Sequence, residues 1–279
     1  MSLLDPRFSL LSVRWRVRFA YDGSAFHGWA RQPGFRTVEG EILGGIVARG
    51  IAPSLDIARV EAASRTDRGV SARANVLGLT SFREPRALLR ALNGIAPDLY
   101  FTALAPAPEG SRIRGALRRT YRYFEESKGR NLALYRSAAR VLSGRIDVRS
   151  FGREVPSADP LWRDIDHVTV RDAAGGWEVE VAAPSFVWGM VRKIVGACRE
   201  VDSGRLPLSR LRRAVAGSER LTLPMAEASP LVLWEVDYGE PWTQVWAGPN
   251  RQQRQMLRTQ AMVRRAQASV GAALAGPVG

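Results

Sequence analysis

Cysteine is nearly missing from this chain. Cys198 stands alone among 279 residues, which excludes an intrachain disulfide and a cysteine-based zinc cluster. Histidine is almost as scarce: His27 and His167 lie far apart, with no HExxH or comparable ligand spacing, so no metal site is expected. No apolar run approaches the ~18 residues of a membrane span. Residues 1–12 carry Asp5 and no uninterrupted apolar segment, unlike a signal peptide, so a cytoplasmic protein without a membrane partner is expected. Lysine is rare too, since of 41 basic residues only Lys128 and Lys193 are lysines.

What is present instead is arginine. Against 27 acids the basic residues leave a net charge of +14, which points to an anionic partner, nucleic acid before anionic membrane. Arginine in place of lysine strengthens that choice, because a guanidinium grips phosphate bidentately and stacks on bases. With 46% hydrophobic residues, the chain can bury one large core or two ordinary ones.

Residues 1–12 read as a leader. From Val13 to Tyr21 apolar residues alternate with Arg14, Arg16 and Arg18, the period of a strand. Thr37 can cap a helix running to Val47, and Pro85 opens another to Asn93. Strands are expected at 60–63 and 75–82. The segment Ala103 to Glu109 resists regular structure and reads as an interdomain connection. A similar pattern follows: strand at 118–125, helix at 135–142, strands at 167–171 and 177–183, a long helix from about Ser185, and a last strand at 232–238. These patterns predict an α+β chain with two related domains, 13–110 and 111–245, each with a mostly antiparallel sheet flanked by helices. Residues 246–279 form a basic extension, lying wholly beyond the last acid, Glu240.

Three segments carry candidate chemistry. In Ser64-Arg65-Thr66-Asp67-Arg68-Gly69-Val70-Ser71-Ala72 one acid stands between two arginines, and an opposite charge close by favours the ionised carboxylate. Taken alone it is equally a turn acid. In Arg119-Thr120-Tyr121-Arg122-Tyr123 both tyrosines share a strand face with Arg119, the composition of a base-stacking platform with phosphate contacts. From Ser185 to Gly196, apolar residues at helical spacing leave Arg192 on the opposite side.

Together these segments resemble the TruA family of tRNA pseudouridine synthases. The loop G-R-T-D-x-G-V-x-A of that family stands here as 64–72, with Ser64 in place of glycine. The Y-D-G-[ST]-x-[FY]-x-G-[FW] segment is matched by 21–29, R-x-Y-x-Y by Arg119, Tyr121 and Tyr123, F-V-x-x-M-V-R-x-I-V-G by 186–196, and L-x-L-x-x-V-x-Y by Leu231, Leu233, Val236 and Tyr238. Arg68 and Ser71 resemble the archaeal and eukaryotic form of the loop. The resemblance implies a pseudouridine synthase fold with its cleft between the two domains, and Asp67 as the catalytic aspartate. It further implies Tyr121 stacked on the target uracil, Arg192 paired with Asp67, Arg65 holding phosphate during extrusion, and Leu231 as an apolar wall. It implies a homodimer modifying tRNA in the anticodon stem-loop, at or near positions 38 to 40, with neither cofactor nor metal. A non-catalytic RNA-binding protein on the same fold, or a relative acting at other tRNA positions, is the alternative.

Overall fold

The computed structural model describes residues 12–126, 130–155, 158–173, 176–240 and 242. The basic extension at 246–279 and nearly all of the leader lie outside the described residues. The first half of the chain runs β1 (Val13–Tyr21), α1 (Val38–Ala48), α2 (Leu55–Ala58), β2 (Glu61–Ala62), β3 (Ser71–Ser81), α3 (Pro85–Asn93) and β4 (Leu99–Pro106). The second runs β5 (Arg118–Glu126), α4 (Leu132–Val141), β6 (Gly144–Asp147), β7 (Trp162–Ile165), β8 (His167–Ala173), β9 (Gly176–Ala183), α5 (Met190–Asp202), α6 (Leu208–Val215) and β10 (Leu231–Asp237).

Local chemistry accounts for the best-defined elements. β1 alternates as its sequence requires, burying Trp15, Val17 and Phe19 under the helices. The Thr37 hydroxyl accepts the Gly40 N–H and caps α1, while Pro85 occupies the first turn of α3, where no N–H is needed.

One eight-stranded sheet joins both halves in the order β4-β1-β3-β10-β5-β9-β8, with β2 beside β3. Within each half the topology repeats. With β6 and β7 set apart as a two-stranded sheet of their own, last strand, first, third and second lie side by side as β4-β1-β3-β2 and as β10-β5-β9-β8, with antiparallel neighbours throughout. This is the βαββαβ arrangement written twice. The halves meet where β10 pairs in parallel with the start of β3, through Val232 with Ser71 and Leu233 with Ala72. Farther along the same edge of β3, β2 pairs through Glu61 with Gly78 and Ala62 with Leu77. The chain between β2 and β3 therefore emerges at the seam between the halves, and that chain carries Asp67.

Two local expectations are corrected. Residues Leu99–Pro106 form β4, pairing with β1 from Tyr21–Leu99 to Trp15–Pro106, so Ala103 to Pro106 are not a connection. Leu104 lies beside Val17 on the core face, Ala103 and Ala105 are buried beside Arg18 and Arg16 on the other, and Pro106 is tolerated because β4 is an edge strand. The helix expected from Ser185 begins at Met190. Gly189, at φ 72°, turns the chain into it, and 184–188 form a loop over the seam.

Candidate active site

The loop from Ser64 to Val70 is held from below by the segment that follows β1. Tyr21 Oη and Thr66 Oγ1 share a hydrogen bond of 2.7 Å, the Trp29 N–H donates to the Thr66 carbonyl at 3.0 Å, and Asn75 Nδ2 donates to the Ser64 carbonyl at 2.9 Å. Gly23 and Gly28 allow that segment to press against the loop. A Cβ on Gly23 would lie 2.3 Å from the Val70 carbonyl oxygen, and Gly28, at φ 90°, faces the Arg68 amide. With its backbone pinned, the loop presents Asp67 upward into a cleft of about 1020 Å³.

The partner of Asp67 comes from the other half. Arg192, in the first turn of α5, donates from Nη1 to Asp67 Oδ2 at 2.9 Å and from Nε to the Ala226 carbonyl at 2.7 Å. Both side chains are largely buried, 15% exposed for Arg192 and 26% for Asp67, so the pair is poorly screened by water. Arg65 and Arg68, its neighbours in sequence, do not pair with it. Both point outward along the cleft, exposed and free of hydrogen-bond partners among the described residues. A second group reaches the carboxylate: Trp188 Nε1 donates to Asp67 Oδ1 at 2.8 Å. No feature of the sequence distinguished this tryptophan from a packing residue.

Tyr121, on β5, lies on the cleft wall edge-on to Phe186, with ring centroids 5.2 Å apart. Ser64, the residue that departs from the family loop, lines the same cavity as this ring. Burial pushes the Tyr121 phenol above the ordinary tyrosine range. Leu231, buried at the start of β10, contributes an apolar wall, and Arg65 lines the rim. Asp67, Tyr121, Arg65, Arg192 and Leu231 thus line one cavity.

The base-stacking platform expected of β5 is corrected. Tyr123 is fully buried and donates its hydroxyl to Glu227 at 3.1 Å. Arg119 is 7% exposed and turned inward, where its Nη1 and Nη2 donate to the carbonyls of Ala116, Pro184, Ala63 and Arg114. It joins the strand entering the Asp67 loop to the start of the 184–188 loop through the carbonyls of Ala63 and Pro184. Of the three, Tyr121 and Arg119 line the cleft and Tyr123 does not, and the Arg119 guanidinium is occupied by backbone carbonyls.

Behind Arg192 lies a further network. Arg199, on α5, donates from Nη1 to Glu227 Oε2 at 2.6 Å and from Nε to the fully buried Glu125 at 2.8 Å. Glu227 follows Ala226, whose carbonyl holds Arg192, so this clamp fixes the position of the Asp67 partner. The Glu227 carboxyl is held down at about 2 by its own backbone N–H and by the Arg199 guanidinium, from an ordinary value of 4.5. A depressed carboxyl contributes stability that is whole above about pH 4.5 and is lost as pH falls toward 2. Glu227→Gln should accordingly remove part of the acid dependence of thermal stability between those values, leaving pH 7 to 8 behaviour parallel to wild type; melting curves across that range check it.

Among the described residues no group of three His, Cys, Asp or Glu side chains is placed to hold a metal ion, and no helix is long and apolar enough to cross a membrane.

The family model described as tRNA pseudouridine synthase matches residues 138–239. Curated relatives named tRNA pseudouridine synthase A extend the likeness to the first half. The protein of Thermococcus kodakarensis is 38% identical over 228 residues, covering 81% of this chain and 85% of its own. That of Pyrococcus furiosus is 34% identical over 229 residues, covering 81% and 84%. That of Methanoculleus marisnigri is 34% identical over 229 residues, covering 81% and 83%. Among solved structures, a Cbf5-Nop10-Gar1 complex aligns at 12% identity and a TM-score of 0.33, covering 77% of this chain and 56% of that one, a likeness too remote to carry weight. From its relatives along four-fifths of its length, the chain belongs to the tRNA pseudouridine synthase A family and has the pseudouridine synthase fold.

Proposed function

We propose that this protein isomerises uridine to pseudouridine in tRNA, at or near positions 38 to 40 of the anticodon stem-loop, with Asp67 as the catalytic carboxylate. The observation that carries the reading is the Asp67–Arg192 pair, 2.9 Å apart, at the base of a cleft with outward arginines. Family membership supplies the reaction class, and the site residues fit what that reaction demands.

The reaction breaks the N1–C1′ glycosidic bond, turns the uracil and joins C5 to C1′; N1 gains a proton and C5 loses one, so no oxidant or reductant is consumed. Two routes use the same carboxylate. Asp67 attacks C1′ as N1 leaves and is displaced when C5 bonds to that carbon, or it removes the 2′ proton to give a glycal. Either route needs an ionised oxygen facing the sugar in a site from which water is excluded. Unstacking the target nucleotide costs a few kcal/mol. Contact of the uracil with Tyr121 and of phosphates with Arg65 and its exposed neighbours offsets that cost. A homodimer, implied by the resemblance to the family, belongs to the same reading and is checked by sedimentation.

The test is to incubate an unmodified tRNA transcript with the protein and map pseudouridine along it by chemical modification. Product at 38 to 40 is expected, with binding that weakens steeply as salt rises. Product elsewhere in tRNA overturns the position, and tRNA bound without product marks the protein as a non-catalytic RNA binder.

A further inference from the structure

We infer that Trp188 is a positioning residue, whose indole N–H sets the plane of the Asp67 carboxylate so that its free lone pairs face the reacting sugar. The inference rests on the reading of Asp67 as the catalytic group. A carboxylate anchored at one oxygen still turns about its Cβ–Cγ bond, a broad and shallow torsion. Here the two oxygens have different donors, Arg192 Nη1 at 2.9 Å on Oδ2 and Trp188 Nε1 at 2.8 Å on Oδ1. Two anchors remove the rotation, and each oxygen keeps a second lone pair for chemistry. The second donor is also neutral. A second cation in its place would draw charge from the carboxylate and blunt it as nucleophile or base, whereas an indole orients without that penalty.

Core packing does not account for this side chain. Trp188 is 49% exposed, an unusual place for a tryptophan, yet its position is fixed from three directions. The Arg153 N–H donates to its carbonyl at 2.7 Å, and the Arg153 guanidinium lies 4.3 Å over its ring. The following residue, Gly189, is at φ 72°, with Met225 Sδ 3.0 Å from where a Cβ would be. Beside Arg153, Glu154 is held at φ 54°, a left-handed conformation costly for a residue with a side chain. That strained turn delivers Arg153 to the indole. The tryptophan thus joins the 152–154 turn of one half to the acid of the other.

The test separates the N–H from the ring. Trp188→Phe keeps an aromatic ring for Arg153, and 3-benzothienylalanine encoded at position 188 replaces only the N–H, by sulfur, at nearly constant shape. Both are expected to lower kcat about tenfold, with KM for tRNA within twofold of wild type and an unchanged Tm. A benzothienyl protein with wild-type kcat overturns the inference. So does a raised KM at constant kcat, which makes Trp188 an RNA contact instead. A readout independent of turnover is the indole ¹⁵N–¹H resonance of Trp188, assigned by its loss in Trp188→Phe. Its displacement by Asp67→Asn supports the inferred contact even if the wild type leaves tRNA unmodified, a result that defeats only the functional reading. A resonance indifferent to Asp67→Asn overturns the inference.

Discussion

Asp67→Asn should bind tRNA within a few-fold of wild type and form pseudouridine at least about 10⁴ times more slowly. Asparagine has nearly the shape of aspartate, so the loop pinned through Thr66 and Ser64 has no reason to move. Its amide oxygen can accept from Arg192 or from Trp188, but the NH₂ must then face the other donor. The amide is neither a nucleophile toward C1′ nor a base toward a 2′ proton, so both routes close together. Loss of one negative charge beside Arg192 leaves the cleft more positive, which favours phosphate if it has any effect. Single-turnover assays and filter binding read the two quantities separately. Turnover near wild type in this variant would remove Asp67 from the chemistry.

The second large effect is on stability. Arg119→Met should lower the free energy of unfolding by about 3 kcal/mol or more, roughly a 10 °C fall in Tm. Burial pulls this guanidinium down from the ordinary arginine range, and its donors satisfy carbonyls of Ala116, Pro184, Ala63 and Arg114. A methionine fills the stem and leaves those acceptors in a space water reaches poorly. Two of them, Ala63 and Pro184, begin the segments that bring Asp67 and Trp188 together, so activity should fall below what stability alone predicts at temperatures well under Tm. Denaturant unfolding with a parallel assay checks both. A variant as stable as wild type would mean that water replaces the guanidinium, and that the two segments hold each other without it.

Much of this fold is legible in the sequence. β1 runs from Val13 to Tyr21 and α3 from Pro85 to Asn93, as their alternation and their proline imply. Where the reading failed, the deciding contact was remote. Ala-Leu-Ala-Pro has little intrinsic preference for a strand, and it is one because β1 offers it an edge. Phe186 and Val187 keep the helical spacing of apolar residues, which implies a continuous helix from Ser185. Gly189 turns the chain there instead, which frees Phe186 to meet Tyr121 and Trp188 to meet Asp67.

By itself, then, the sequence pointed to an anionic partner, through its arginine excess, and to Asp67, Tyr121, Arg65, Arg192 and Leu231 as candidate residues, through an ordered series of segments; the fold places all five around one cavity. Tertiary structure alone decided which charges meet. Arg65 and Arg68 flank Asp67 along the chain yet stay exposed and do not pair with it, because in a pinned loop neighbouring side chains diverge. Arg192 lies 125 positions away and 2.9 Å distant, because β10 joins β3 at the seam and sets α5 over the loop. Arg119 and Arg65 carry the same charge, but one is enclosed by carbonyls and the other is open to water. Composition counts such residues alike; desolvation and distance, which exist only in the fold, tie one to the scaffold's carbonyls and leave the other open to solvent.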